Sequence, residues 1–412
     1  VKTNHYRFAS LLSLCMVYPL SASPIPGLAP QKAWDLTGYV KYMATATHPD
    51  GSDSLLDHLL HQRFNFEYRF DSKLRVNLGM RNRLFYGDSS QFPAYGKLVG
   101  VDSGYFDLST NWLDSDGWVG NSQLDRAYLT FNADADWQLK LGRFRINWAM
   151  STLWNPNDIF NAYSIYDFDY EERAGADAVT VSRKLGFASS VELVYNANQD
   201  KDLNRYATRM LFNHGGWDIQ FLAGKAGTDR VFGGGFAADI QGAGVRGEWS
   251  YFDPIYDSWP RLNQALNSSL SMQLISPTQR LSATHVATLE SDYSFASERN
   301  WMIRGSVLYI SAPTQADNAL LYLNLPVNAR TLSYTQWTYY GEVSFDVSSL
   351  SRLSASGSYY QDGSYFLGAS VSYSLANDWQ LQLIAQRFDG KAESLFGQSA
   401  STVVFGQMRW SF

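Results

Sequence analysis

At 412 residues the chain could hold two or three soluble domains of about 150 residues each. Charged residues make up only 17%, against about 25% in an average domain, and aromatics 15%; yet the mean hydropathy is −0.26, which excludes a bundle of membrane helices, each needing about 20 consecutive apolar residues. With 45% of residues apolar, disorder is excluded as well, and a large β protein remains, soluble or membrane-embedded.

Residues 1–22 carry Lys2 and Arg7 and no acid, then an apolar run from Phe8 to Leu20, then Ser21-Ala22-Ser23. This order predicts a secretory signal cleaved near Ala22, a short periplasmic segment over 23–33 and a barrel over 34–412. Cleavage takes the formal net charge from −6 to about −8 and removes Cys15, the only cysteine. No disulfide, thiol catalysis or Cys-based metal site then remains.

From Trp34 onward apolar and polar residues alternate in stretches of about ten, the pattern of transmembrane β-strands. Residues 73–84 show it best: Leu74, Val76, Leu78, Met80 and Leu84 point one way, Lys73, Arg75, Asn77, Arg81 and Arg83 the other. In 63–71, Phe64, Phe66, Tyr68 and Phe70 oppose Arg63, Asn65, Glu67, Arg69 and Asp71. Later, Trp217, Ile219 and Phe221 oppose Asp218 and Gln220, and Trp379, Leu381 and Leu383 oppose Gln380 and Gln382. The predicted strands cover 34–46, 58–71, 73–86, 123–134, 136–147, 176–184, 188–197, 205–214, 217–226, 230–240, 242–251, 283–294, 300–311, 334–347, 352–361, 364–376, 378–389 and 400–412. That is about eighteen strands, with sixteen the alternative because Gly233-Gly234-Gly235 weakens one of them.

A soluble sandwich also alternates, but three features point to a transmembrane antiparallel β-barrel in the outer membrane of a Gram-negative bacterium. Short joins, read as periplasmic turns, alternate with long connections, read as extracellular loops. Trp137, Trp217, Trp301 and Trp379 fall just after short joins, with Trp34 and Trp410 at the same end, as an interfacial girdle requires. The stretch Val404 to Phe412 places apolar residues at alternate positions and ends on Phe; it resembles the strand by which such barrels are handed to the barrel assembly machinery. The expected partners are outer-membrane lipids, that machinery, and a small polar or anionic solute; nucleic acid is not among them, and the oligomeric state is left open.

The inward faces of the second, third and fifth predicted strands collect Arg63, Arg69, Lys73, Arg75, Arg81, Arg83, Lys140, Arg143 and Arg145, against Glu67 and Asp71, and the fourth adds Arg126. Lys140 and Arg145 share a face only if a residue is inserted near Gly142, so a β-bulge is expected there. Guanidinium is always charged and grips carboxylate or phosphate with two parallel bonds, so such a stripe would select anions. The competing reading is that Glu67, Asp71 and incoming loop acids neutralise it. The third long connection supplies acids: Asp158, Asp167, Asp169, Glu171, Glu172 and Asp177, with Arg173 the one base. Folded inward it would form a constriction whose acids face the basic wall; folded outward it would be a solvated cap.

Leu141-Gly142-Arg143-Phe144-Arg145-Ile146-Asn147-Trp148, followed by Trp154-Asn155-Pro156-Asn157-Asp158-Ile159-Phe160-Asn161, resembles a segment shared by porin-like outer-membrane proteins, including alginate-export-like barrels. The family pattern has Gln after Gly-Arg and Gly after Trp, where this chain has Phe144 and Ala149. The resemblance implies an eighteen-stranded passive channel, with Arg143 and Arg145 the basic residues carried over by motif. Enzymatic readings are weaker. His58 and His61 lie three apart and so on opposite strand faces, no metal-ligand spacing or phosphate loop occurs, and no cofactor is implied. A porin for passive passage of polar, anionic solutes or saccharides is the leading reading; a non-conducting surface barrel acting through its loops, or a barrel-embedded hydrolase, stands behind it.

Overall fold

A computed structural model describes residues 32–162, 175–186, 188–260, 278–314 and 328–412. The predicted signal segment therefore lies outside the described residues. The strands are β1 (Trp34–Pro49), β2 (Leu55–Arg69), β3 (Leu74–Gly87), β4 (Ser109–Ser115), β5 (Trp118–Asn132), β6 (Trp137–Phe144), β7 (Ala176–Lys184), β8 (Ser190–Asn196), β9 (Arg205–His214), β10 (Trp217–Ala226) and β11 (Asp229–Ile240). They continue as β12 (Ala243–Pro254), β13 (Ser258–Pro260), β14 (Thr278–Arg280), β15 (Thr284–Ser294), β16 (Met302–Ile310), β17 (Trp337–Ser348), β18 (Ser351–Tyr360), β19 (Ser364–Ala376), β20 (Trp379–Gly390) and β21 (Ser401–Ser411), with one short helix, α1 (Tyr95–Val99).

Eighteen of these strands form a closed antiparallel barrel. Closure joins β1 to β21 from Tyr39↔Ser411 to Pro49↔Ser401, and Gly38 and Phe412 exchange backbone hydrogen bonds of 2.9 and 3.0 Å. A closed ring leaves no strand edge unpaired, which is what hydrocarbon demands of a β structure. β4 lies outside the ring order, beside the upper part of β5, where the short β6 has already ended. β13 and β14 form a separate hairpin.

Alternation sets the two faces. Leu78, Leu129, Leu141, Val179, Leu193, Phe221, Leu289 and Leu367 are each more than a third exposed and point outward. Trp34, Trp137, Trp217, Trp301, Trp379 and Trp410 are exposed at the short-turn end, and Trp379 stacks on Trp410. At the opposite end Tyr42, His58, Tyr86 and Trp118 form a second outward belt, with the Tyr42 hydroxyl 2.8 Å from His58 Nδ1 and Tyr86 stacked on Trp118. Two aromatic belts flanking an apolar band are the outer surface that a bilayer selects. The turns are tight for local reasons: Gly215 and Gly216, both at positive φ, join His214 to its pair Trp217 as a two-residue hairpin loop requires.

One residue is indeed inserted in the basic half of the wall, at a different place from the one expected. Register runs without a shift through Gly142, whereas β3 and β5 slip between Gly79 and Met80, leaving Asp125 as the extra residue. Lys140 and Gly142 therefore share the inward face, and Arg143 takes the alternate one with Leu141. A bulge can be read from a phase break, but either strand of a pair can absorb it.

Candidate functional site

By register, Arg63, Arg69, Arg75, Arg81, Arg83, Arg126 and Lys140 all face the interior, on the adjacent strands β2, β3, β5 and β6. Lys73 does not belong with them. It sits exposed in the turn before β3, where its backbone N–H and that of Leu74 both bond Asp71 at 2.7 Å. These two hydrogen bonds hold the Asp71 carboxyl below its usual range, the Leu74 contribution being the larger, so Asp71 serves its own turn and does not neutralise the wall.

Neutralisation comes from other acids. Arg63 meets the bulge residue Asp125 at 2.7 Å with both side chains buried, and Arg126 approaches the same carboxylate at 3.6 Å. Arg69 bridges Asp35 and Glu67. Arg81 spends two donors on the neutral Gln123, and Arg83 reaches Asn121 at 2.9 Å and the Val99 carbonyl at 3.1 Å. Among the described residues no carboxylate pairs with Arg75, Arg81 or Lys140. These three, half-buried, are basic residues of the inner wall with no carboxylate partner among the described residues.

Arg143 is placed otherwise. Its Nε and one terminal nitrogen bind Asp177 at 2.7 Å each, a second terminal nitrogen binds Asp102 at 2.5 Å, and the Phe106 carbonyl accepts at 2.6 Å. All three charged side chains are 7% exposed or less. The knot ties β6 and β7 to the loop that precedes β4, closing the wall where β6 stops. Asp102 is held below the ordinary carboxylate range: burial alone would raise it, and the bonds from Arg143, Gly104 and Leu108 outweigh burial. Saturated in this way, Arg143 fastens loop to wall. Arg145 lies just past β6 and is half-buried.

After Phe144 the chain turns into the lumen. Trp148 Nε1 donates to Glu192 (2.8 Å), and Gln220 donates to the Trp148 carbonyl (2.8 Å). The N–H groups of Met150, Ser151 and Asn157 converge on Glu248 at 2.5–2.9 Å, and those of Thr152 and Leu153 on Glu290 at 3.0–3.2 Å. Glu248 and Glu290 are inward residues of β12 and β15, nearly or wholly buried. Around these bonds Ile146, Trp148, Leu153, Trp154, Ile159 and Phe160 pack on Leu222, Val231, Phe252, Val286 and Leu308 of the wall and on Ala329 and Leu332 of the connection before β17. A dry apolar core thus stands inside the barrel, each fully buried large side chain contributing about 1.5–3 kcal/mol.

The third long connection was expected to bring acids to a basic wall. Asp167, Asp169, Glu171, Glu172 and Arg173 lie outside the described residues. Asp158 is fully buried, accepts from the Asn161 N–H at 3.2 Å and sits by Arg205 of β9, whose guanidinium bonds the Ile159 and Phe160 carbonyls. At Glu192, Glu248 and Glu290 the wall carries the acids and the segment offers N–H donors, while at Arg205 the polarity is reversed, with a wall base beside the segment's Asp158. Sequence reading singled out neither Glu248 nor Glu290, because backbone N–H groups leave no trace in residue identity. His61 faces inward, edge-on to Tyr39, and His58 outward, so the pair is divided between faces.

Barrel, belts and lumenal segment together define an eighteen-stranded β-barrel of the Gram-negative outer-membrane type. Solved structures agree on the fold. The chain is similar to OpdQ of Pseudomonas aeruginosa, with a TM-score of 0.56 at 7% identity over 93% of this chain and 99% of that one. It is also similar to OccK8 (OprE) of that organism, at 0.51 and 7% over 92% and 98%, and to OccD3 (OpdP), at 0.50 and 8% over 92% and 91%. At such identities the shared property is the porin fold. No protein-family model and no curated protein sequence matches the chain.

Proposed function

We propose that the protein is an outer-membrane channel for passive passage of polar, anionic solutes or saccharides, and that its C-terminal strand, ending in Phe412, is what the barrel assembly machinery receives. The observation that carries the channel reading is the asymmetry of the lumen: the inward segment is fastened to the β8–β15 side, while Arg75, Arg81 and Lys140 stand on β3 and β6 without acidic partners among the described residues. Water in a channel does not cancel such charges, because low-dielectric walls focus their field on whatever passes. An anion is drawn in and a cation repelled. The test is ion selectivity in planar bilayers: the native protein conducts with anion preference, and neutralising Arg75, Arg81 and Lys140 together abolishes that preference. Absence of conductance refutes the channel, and an unchanged reversal potential in the triple variant refutes the basic wall.

A second reading is favoured by the dry lumenal core. A barrel filled in this way could act as a non-conducting surface protein through its loops, and the same bilayer experiment separates the two.

A further inference from the structure

Gly233-Gly234-Gly235 lies in the middle of β11, yet none of the three has a positive φ, so the backbone does not ask for glycine. Glycine in a strand interior weakens it and needs a reason, usually the close approach of another chain segment. Here the segment is the lumenal one. A β-carbon on Gly233 would come within 2.8 Å of Asn157 Oδ1 and 2.7 Å of Ser250 Oγ; one on Gly235 would lie 3.0 Å from Asn157 Nδ2 and 3.1 Å from Met150 Sδ. Asn157 in turn donates to the Gly234 carbonyl at 2.9 Å, and Ser250 donates to the Pro156 carbonyl at 3.0 Å. Beside this flat patch rise Glu248 and Glu290, which collect five backbone N–H groups and the Thr152 hydroxyl. Glycines that clear space and carboxylates that gather donors act on the same stretch, residues 150–157, from neighbouring strands.

We propose that Gly233, Gly235, Glu248 and Glu290 are positioning residues: together they form a seat that holds residues 148–158 flat against β10–β15 and thereby sets the width and charge exposure of the passage. The role in permeation rests on the channel reading above; the seat itself does not. The barrel ladders on either side of Glu248 are complete without the segment, with β11, β12 and β15 paired along their lengths. Unseating the segment therefore alters the lumen while the wall persists.

The test uses the full-length protein refolded in detergent. Gly235→Val and the double variant Glu248→Ala/Glu290→Ala keep the heat-modifiable migration of a folded barrel, change single-channel conductance by twofold or more, introduce additional current levels and shift the reversal potential. Glu248→Gln, which keeps one carbonyl acceptor, restores behaviour toward native. Folded variants with native conductance and native reversal potential overturn the proposal. A second arm replaces Cys15 with Ser and pairs Asn157→Cys with Ser250→Cys, at side chains that meet at 2.8 Å in the native barrel. The seat predicts a disulfide on mild oxidation of the folded barrel; free thiols in the folded barrel overturn it. Because crosslinking is read on a gel, this arm judges the seat even where the native protein carries no current and the channel reading has failed.

Discussion

Arg143→Met puts the wall knot to the proof. The guanidinium makes four hydrogen bonds, two of them to Asp177 in fork geometry, and it and its two charged partners are nearly buried. Removing one member of a buried pair costs about 3–5 kcal/mol because the remaining charge is left uncompensated. The loss falls on the loop before β4, which keeps the bonds from Phe106 N–H to Asp177, from the Gln199 amide to the Tyr105 carbonyl and from Leu124 N–H to the Leu108 carbonyl. The strand ladders are untouched. At about 1.4 kcal/mol per factor of ten, even the lower figure raises the open population of that loop roughly 100-fold. Tyr105 and Phe106 are exposed and are chymotrypsin targets once the backbone loosens, and when opening is fast relative to cleavage the rate follows that population. Chymotrypsin cleavage at 105–106 in the folded barrel should therefore accelerate on the order of 100-fold, with heat-modifiable migration unchanged. Arg143→Lys, which keeps charge but loses the fork, should fall between. A variant loop as resistant as the native one refutes the knot, and so does loss of the barrel in place of the loop.

Acid should act through the same knot: a carboxyl lowered on folding stabilises above its free value of about 3.9, so pepsin cleavage of the 105–106 site, taken relative to a free peptide of the same sequence, should stay slow near pH 5 and rise as pH falls through the lower value that Asp102 has in the folded barrel. The Asp71 carboxyl has the same sign, so the β2–β3 turn should weaken on acidification, and Asp71→Ala should remove that pH dependence from urea unfolding in lipid vesicles. Gly142 has φ +122°, and a β-carbon there would run into the Ala127 carbonyl, so Gly142→Val should sharply reduce the folded fraction on gels, while Gly305→Ala, with open space around it, should not. Leu129→Arg on the outer face should cost about 2–4 kcal/mol if it lies near mid-membrane, measured by denaturant titration in vesicles, whereas Arg75→Leu on the inner face should change current and leave stability nearly native.

Strands were legible because their period is two and lipid sharpens the contrast between faces: β9 and β10 coincide with the predicted spans residue for residue, and several others to within two or three. The upper part of β5 was missed. There Gly120 holds no side chain because Trp112 of β4 lies over it, which removes the apolar signal from an outward position. α1 was hidden in a long connection, as five residues carry too little periodicity to register. At the site, strand alternation was enough to place Arg63, Arg75 and Arg81 on the inner wall, since inward direction follows from parity. Their pairing did not follow, because Asp125 reaches Arg63 through a bulge and Asp102 reaches Arg143 from a loop 41 residues away. Parity is local, and charge compensation here is not.

The dry core within the lumen bears on the order of assembly. Within the segment Trp148 meets Phe160 edge-on, but the wall partners Leu222, Val231, Phe252, Val286 and Leu308 are spread over five strands that share a concave surface only after the sheet has curled. The wall thus works as a mould, and its filling sets late. Refolding should show an early phase of insertion followed by a slower one in which tryptophan fluorescence shifts to the blue, and damage to the filling should leave a correctly inserted protein with the wrong interior.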